Sequence, residues 1–140
     1  MSLLDVQNLS ASYGSTPALF GVDLTLSAGQ VTALMGRNGM GKSTTVKAIC
    51  RMIPSQGTLK FEGRDLHGLP SHRVAQLGVG LAPEGRRCFG ALTVRENLIA
   101  AARAVEWTLA SVTALYQRLE ERLAPRAASM SGGEQQMLAI

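Results

Sequence analysis

The feature that most constrains the fold is a phosphate-binding pattern in residues 36–43, which read G-R-N-G-M-G-K-S and match G-x-x-x-x-G-K-[ST] at every fixed position. Its glycines allow a tight loop whose backbone N–H groups point at anionic oxygens. Lys42 adds a positive charge for the β- and γ-phosphates, and Ser43 offers a hydroxyl to Mg²⁺. The alternative is a glycine-rich turn with a chance lysine. It is disfavoured because a strand signal at 31–35 precedes the loop and a helix signal follows it, so the pattern predicts a nucleoside triphosphate site.

A second feature lies near the end of the chain, where residues 131–136 read S-G-G-E-Q-Q. Ser131 with Glu134 three residues later is typical of a capping box and predicts the start of a helix. Gly132 and Gly133 are poor helix formers, so their place in the first turn indicates that something approaches the backbone closely. An anion at the helix N-terminus is the natural candidate.

Together, the phosphate loop and the S-G-G-E-Q-Q segment resemble the ATP-binding subunits of ABC transporters, over essentially the whole chain. The resemblance implies ATP and Mg²⁺ as ligands, and a head-to-tail dimer in which the S-G-G motif of one subunit closes over the γ-phosphate held by its partner. It places Tyr13 where the family stacks an aromatic ring on adenine, with a half-buried strand tyrosine as the alternative. Met130 stands where the family usually has leucine. The residues implied to bind the nucleotide are Tyr13, Gly36, Arg37, Asn38, Gly39, Met40, Gly41, Lys42, Ser43, Thr44, Ser131, Gly132, Gly133 and Glu134.

Residues 81–87 occupy the place of the family's glutamine loop, which senses Mg²⁺ and faces the membrane subunit. Glu84 replaces the usual glutamine and is a hard oxygen ligand that carries an additional charge. Ser43 and Glu84 are therefore the candidate metal ligands, and Lys42 and Glu84 are the candidate supporting residues for catalysis.

The wording of residues 83–87, 92–98 and 133–140 resembles most the subunits that power import of branched-chain amino acids. Importers of urea or short-chain amides share much of this wording and are the alternative. In this family the solute is recognised by other proteins, so the implied partners are a second ATP-binding subunit and transmembrane permease subunits. The chain shows no secretory signal and no apolar run of about 20 residues. The resemblance implies a cytoplasmic protein on the inner face of the cell membrane, which reaches the membrane only through partners.

The implied fold class is α/β, a P-loop NTPase core of the ABC ATPase type with an N-terminal β-rich part and a helical subdomain. We expect a single partial domain over 1–140, with a nucleotide-binding core at 1–91, a helical subdomain at 92–130 and the signature segment at 131–140. In the family, a Walker B strand ending in Asp, a catalytic Glu and a switch His follow the signature helix. The sequence stops before all three, so we expect a missing C-terminal part and little or no hydrolysis by this chain alone.

Two other classes of protein are alternatives to a transporter subunit. One is a nucleotide-binding fragment without turnover. The other is a P-loop kinase or GTPase, which is disfavoured because no Asn-Lys-x-Asp occurs and because S-G-G-E-Q-Q has no role there. A formal charge of +4 does not indicate nucleic acid, because the basic residues are scattered. The cluster of Arg86, Arg87 and Arg95 favours a solvated face or a contact with a membrane partner.

Cysteine and histidine are uninformative in this chain. Cys50 and Cys88 have no metal or redox spacing, so we expect reduced thiols. His67 and His72 lie five residues apart without a cysteine partner, which favours ordinary loop or cap roles over a metal site.

Periodicity and turn residues predict the secondary structure. We expect strands at 3–9, 22–26, 31–35, 58–61 and 79–82, of which 58–61 is an edge strand and 79–82 a buried one. We expect helices at 42–52 and, capped by Ser71, at 71–77. A capping box of Thr93 and Glu96 predicts a helix to about Val105. One more helix, ended by Pro125, is predicted by apolar residues at helical spacing, which are Leu109, Val112, Tyr116, Leu119 and Leu123.

Overall fold

The computed structural model describes residues 2–85, 87–102 and 107–140. The chain forms two compact units, residues 1–80 and 81–140. Strands and helices are both present, as the α/β prediction requires. The finer division at 91 and 130 stays a prediction.

The first unit is built on a four-stranded sheet in the order β2-β1-β3-β4, in which every pairing is antiparallel. β1 and β2 form a hairpin across a two-residue turn. The strands predicted at 3–9, 22–26 and 58–61 are confirmed. The last is not an edge strand, because the chain turns back after it and pairs a short strand with Lys60 and Phe61. The strands are β1 (Ser2–Tyr13), β2 (Thr16–Ser27), β3 (Ser55–Phe61) and β4 (Arg64–Asp65).

β1 carries a bulge at Asn8 that changes which side of the strand is buried. Leu4 and Val6 are buried before it, and Leu9 and Ala11 after it. The register with β2 and with β3 shifts at the same point. Asn8 has a φ of 49°, a conformation that asparagine tolerates better than most residues. The predicted alternation therefore holds on each side of the bulge but not across it.

Two helices pack on this sheet, α1 (Lys42–Ile49) and α2 (Ser71–Gln76). Ala48 of α1 and Val74 of α2 are fully buried. Burial of this apolar surface fixes α1 against the sheet, and with it the loop that leads into the helix. The buried cluster consists of Leu4, Val6, Leu9, Ala11, Leu19, Ala48, Leu59, Leu66 and Val74.

Two of the predicted strands are wrong. Residues 31–35 are irregular and Val31 and Met35 are exposed, and residues 79–82 are irregular with Leu81 exposed. A strand forms only where a neighbouring backbone completes its hydrogen bonds. The described strands pair with one another and leave both segments without such a neighbour. The described residues therefore form no sheet beside the phosphate loop from these two segments.

Both helices of the first unit differ from the prediction: α1 ends earlier, and α2 has a different cap residue. α1 stops at Ile49, because Arg51 adopts a left-handed φ of 56° ahead of Pro54. Ser71 is the first residue of α2 and not its cap, since the cap position is taken by Pro70 and no side chain bonds the helix end. No helix in the described ranges has the length and apolar character needed to cross a membrane.

The second unit is helical. It contains α3 (Val94–Ala101), α4 (Leu109–Leu115), α5 (Gln117–Glu120), a 3₁₀ turn (Ala127–Ser129) and α6 (Gly132–Ala139). The predicted capping box at Thr93 and Glu96 is confirmed. α3 ends at Ala101, and Val105 lies outside the described residues.

The helix predicted from the apolar stripe is broken at Tyr116, which has a φ of −120° and a ψ of 75°. Tyr116, Leu119 and Leu123 pack with Val94 and Met130 in the core of this unit. Packing in this core accompanies a break that helical spacing alone does not predict.

Asn97 on α3 is buried and fastens the preceding loop to the helix. Its Oδ1 accepts from the Phe89 backbone N–H at 2.7 Å, and its Nδ2 donates to the carbonyls of Phe89 at 3.0 Å and Thr93 at 2.9 Å. A polar side chain in a core is stable only when its partners are present, as they are here.

We expect Asn97→Ala to lower the free energy of unfolding by about 1–3 kcal/mol, because the Phe89 N–H and carbonyl lose their partner in a partly buried setting. Urea denaturation measures this change. Ile99→Ala on the same helix is the matched control, since Ile99 is 54% exposed and its loss should cost within about 0.5 kcal/mol. Equal effects of the two substitutions would contradict the role of Asn97.

Candidate nucleotide-binding site

Gly41 seats the phosphate loop on the sheet. It caps α1 in a left-handed conformation with a φ of 84°, which favours glycine. A Cβ at this position would lie 2.7 Å from Leu19 Cδ2 and 3.1 Å from the Ala18 carbonyl oxygen. The fixed glycine of the pattern is therefore required both by backbone conformation and by the close approach of β2.

Lys42 is the first residue of α1, and its side chain turns back over the loop. Its Nζ donates to the carbonyl oxygens of Gly36 at 2.6 Å and Arg37 at 2.9 Å. An ammonium group has three N–H donors. Two of them hold the loop, and the third has no partner among the described residues. The role of Lys42 in phosphate binding stays a prediction.

The first turn of α1 has the features of an anion site. It contains no acidic residue, and the leading N–H groups of a helix have no partner within it. Thr45 fastens the turn, because its N–H and its Oγ1 both donate to the Gly41 carbonyl, at 2.8 and 2.9 Å. Ser43 is exposed in this turn, which leaves its hydroxyl accessible to a metal ion bound with phosphate.

Tyr13 lies at the end of β1 and is brought beside α1. Its hydroxyl is 3.5 Å from Thr44 Oγ1, and the Nζ of Lys47 lies 5.7 Å from its ring centroid. The hydrogen bond with Thr44, followed by the charge of Lys47, lowers the pKa of the phenol. The ring is 45% exposed, so surface is available for a ligand.

In the second unit, the predicted capping box at Ser131 and Glu134 is confirmed. The Ser131 N–H donates to Glu134 Oε2 at 2.8 Å, and this bond is the main reason that the pKa of Glu134 is lowered. Arg122 Nη1 lies 3.8 Å from Glu134 Oε1. The carboxylate that opens α6 is thus held by a backbone donor and faces a cation.

α6, which begins with the two glycines, is anchored at its N-terminus by the residue before its cap and by a residue of its second turn. Met130 is buried in the core of the unit, so it serves as an apolar residue there. Gln135 Nε2 donates to the Ala127 carbonyl at 2.9 Å. These contacts fix the N-terminus of α6, where Gly132 and Gly133 lie.

Glu84 lies in an exposed turn of the second unit, and Ser43 belongs to the first unit. Their joint role as metal ligands therefore stays a prediction. Arg87 and Arg95 are exposed, and Arg86 lies outside the described residues.

Further along, the Val94 N–H donates to the Pro125 carbonyl at 3.0 Å and the Ala127 N–H to the Leu92 carbonyl at 2.8 Å, so the start of α3 is joined to the segment that leads into the S-G-G motif.

His67 and Cys50, for which the sequence favours no metal or redox site, have contacts that indicate structural roles. His67 Nδ1 lies 3.0 Å from Asp65 Oδ1, within a turn that Arg51 closes by donating to the His67 carbonyl at 2.9 Å. Burial raises the pKa of the Cys50 thiol, which disfavours the reactive thiolate. Within the residues that the structure describes, no three His, Cys, Asp or Glu side chains are grouped to hold a metal ion.

The sequence did not predict two contacts that candidate residues make, one in each unit. Lys47 lies against Tyr13, and Arg122 faces Glu134. Both belong to segments that read as ordinary helix surface, and their partners are distant in sequence. No local signal distinguishes them from other exposed basic residues.

Comparison with known proteins gives a consistent result. Residues 19–140 match the protein family described as ABC transporter. The chain is 39% identical over 144 residues to the high-affinity branched-chain amino acid transport ATP-binding protein BraG of Pseudomonas aeruginosa, with 99% of this chain and 62% of BraG covered. It therefore spans 62% of the length of that relative.

Two further comparisons concern other transport systems and the fold. The chain is 39% identical over 101 residues to the lipopolysaccharide export system ATP-binding protein LptB of Haemophilus influenzae, covering 71% of this chain and 42% of LptB. A solved structure of an ATP binding subunit of an ABC transporter superimposes with a TM-score of 0.82 at 32% identity, covering 98% of this chain and 59% of the other.

We expect Gly41→Ala to destabilise the protein more than Gly39→Ala, as measured by urea denaturation. Both glycines have a φ of 84°, so both substitutions carry a backbone strain of about 1–2 kcal/mol. A Cβ at Gly39 meets nothing within 4 Å, whereas one at Gly41 meets Leu19 and Ala18. Equal losses of unfolding free energy would show that the close contact with β2 does not constrain Gly41.

We expect Glu134 to contribute stability that depends on pH. Its folded pKa is lowered, so the contribution is present above the ordinary glutamate pKa and is lost as the pH falls through the folded value. In Glu134→Gln, the fall in the urea midpoint between pH 7 and acid should be smaller than in the wild type. Glu120→Gln, at an exposed position, is the control and should behave like the wild type.

Proposed function

The chain belongs to the ABC transporter family, and from this premise we propose that it binds Mg-ATP as part of the ATP-binding subunit of a transporter. The observation that carries the proposal is the position of Lys42, whose ammonium group lies over the loop carbonyls at the start of α1 with one donor to spare. A nucleoside triphosphate supplies the negative charge that the Lys42 ammonium group and the N-terminus of α1 would bind.

In the proposed complex, the β- and γ-phosphates lie against the first turn of α1. The leading N–H groups of the helix and the third donor of Lys42 bind the phosphate oxygens, and no acidic residue of that turn opposes them. Ser43 supplies its hydroxyl to the Mg²⁺ that accompanies ATP. Residues 36–41 wrap the phosphates, and Thr44 follows them on the helix.

The adenine base would stack on Tyr13. The Tyr13 hydroxyl lies 3.5 Å from Thr44 Oγ1, so the proposed base and phosphate contacts belong to one compact unit of the chain. Partial exposure of the ring leaves room for a stacked base.

The second unit would act on a nucleotide held by a second ATP-binding subunit in a head-to-tail dimer. Ser131 presents its hydroxyl, and Gly132 and Gly133 present their backbone N–H groups, at the start of α6. Glu134 holds Ser131 in place by accepting from its N–H. Glu84 would supply an oxygen toward the metal ion. Permease subunits complete the proposed assembly and hold the protein at the inner face of the membrane.

We propose import of branched-chain amino acids as the transport function of the whole protein. The similarity to BraG over 99% of the chain supports this choice. The equal identity to LptB, over a shorter stretch, concerns a system named for export. The ATP-binding subunit does not contact the solute in the proposed assembly, so the nucleotide site itself is expected to be the same for either solute.

The proposal is tested by thermal melting of the chain with and without Mg-ATP. Binding to the native state raises its stability by about 2.7 kcal/mol at a ligand concentration of 100 times Kd. We expect the melting temperature to rise with Mg-ATP in the wild type and in Lys60→Ala, and to stay unchanged in Lys42→Ala. Lys60 is the matched control because it is an exposed lysine on β3.

A shift that persists in Lys42→Ala, or no shift in the wild type, would overturn the proposed site. The same samples are also used to measure phosphate release. We predict little ATP hydrolysis by residues 1–140 alone. Steady release that Lys42→Ala abolishes would contradict that prediction and leave ATP binding supported.

A further inference from the structure

Two residues of α1 hold Tyr13 from different directions. Thr44 meets the phenol oxygen at 3.5 Å, and the Lys47 ammonium group lies over the ring, 5.7 Å from its centroid. Thr44 and Lys47 are three residues apart and therefore share one side of the helix. A tyrosine that is 45% exposed at a strand end thus has its edge and one of its faces fixed by a single helix.

A cation over an aromatic ring restricts the ring plane as well as attracting it. With Lys47 on one face, the opposite face is the one on which a planar ligand can stack. The orientation matters because stacking depends on ring alignment. Lys47 also contributes, after the Thr44 hydrogen bond, to the lowered pKa of the phenol, in agreement with the same geometry.

We propose that Lys47 is a positioning residue for the purine base of the bound nucleotide, acting through Tyr13 and not through the phosphates. This inference rests on the proposed ATP site. It adds a residue from the last turn of α1 to a site whose phosphate contacts lie in the first turn. Five residues of helix separate Lys47 from Lys42 by about 7.5 Å along the axis, so the two lysines serve different parts of the ligand.

The test compares the affinity of the full chain for Mg-ATP and for tripolyphosphate, which lacks the base, by isothermal titration calorimetry. Lys47→Met should weaken ATP binding about two- to fivefold, the range of a cation–π contact at an exposed site. It should leave tripolyphosphate binding unchanged. Lys47→Arg should retain ATP affinity because it keeps the cation, and Lys60→Met is the control for the lost charge.

A second comparison uses Tyr13→Leu, in which Lys47→Met should cause no further loss of ATP affinity. Equal losses for ATP and tripolyphosphate would overturn the inference and assign Lys47 to the phosphates. An undiminished loss in the Tyr13→Leu background would also overturn it. If the wild type binds ATP and Lys47→Met changes nothing, the inference alone fails, whereas a wild type that binds neither ligand overturns the proposed function with it.

Discussion

The close contact of Gly41 with β2 is the constraint on which the candidate site depends. A Cβ at Gly41 would lie 2.7 Å from Leu19 Cδ2 and 3.1 Å from the Ala18 carbonyl oxygen, so the start of α1 lies directly on the hairpin. The same seating buries Thr45 and Ala48 against the sheet and brings Thr44 beside the end of β1. The direction of the phosphate loop and the position of Tyr13 therefore both follow from the packing of α1 on the hairpin.

The N-termini of α1 in the first unit and α6 in the second unit differ in local charge. The first turn of α1 has no acidic residue, so its dipole and Lys42 favour an anion without opposition. The first turn of α6 contains Glu134, whose carboxylate takes the Ser131 N–H and faces Arg122. An anion approaching α6 meets a negative charge that is already partly compensated. This difference in charge agrees with the proposal that α1 binds the phosphates within one subunit and that α6 acts on a nucleotide held by a second subunit.

The sequence predicted best what depends on local chemistry. The phosphate loop, the capping boxes at Thr93 and Ser131 and the hairpin strands all follow from residue types at short spacing, and the structure contains each capping box and strand. The strand at 31–35 failed because apolar character does not supply a hydrogen-bonding neighbour. The break at Tyr116 was missed because packing with Val94 and Met130 is a tertiary effect. The contact between Lys47 and Tyr13 is also tertiary, so no sequence pattern indicates it.

The absence of a strand at 31–35 changes how the phosphate loop is held. Among the described residues, the hydrogen bonds of the loop include one from the Met40 N–H to the Arg37 carbonyl at 3.3 Å and the two from Lys42. Lys42 therefore orders the loop, and in the proposed complex it would also bind the phosphates. A compact ammonium group with three N–H donors suits both tasks, because two donors bind the loop carbonyls and the third would serve a phosphate oxygen in the proposed complex. The loss of Lys42 would accordingly remove the order of the loop together with the charge, which couples loop conformation to phosphate binding.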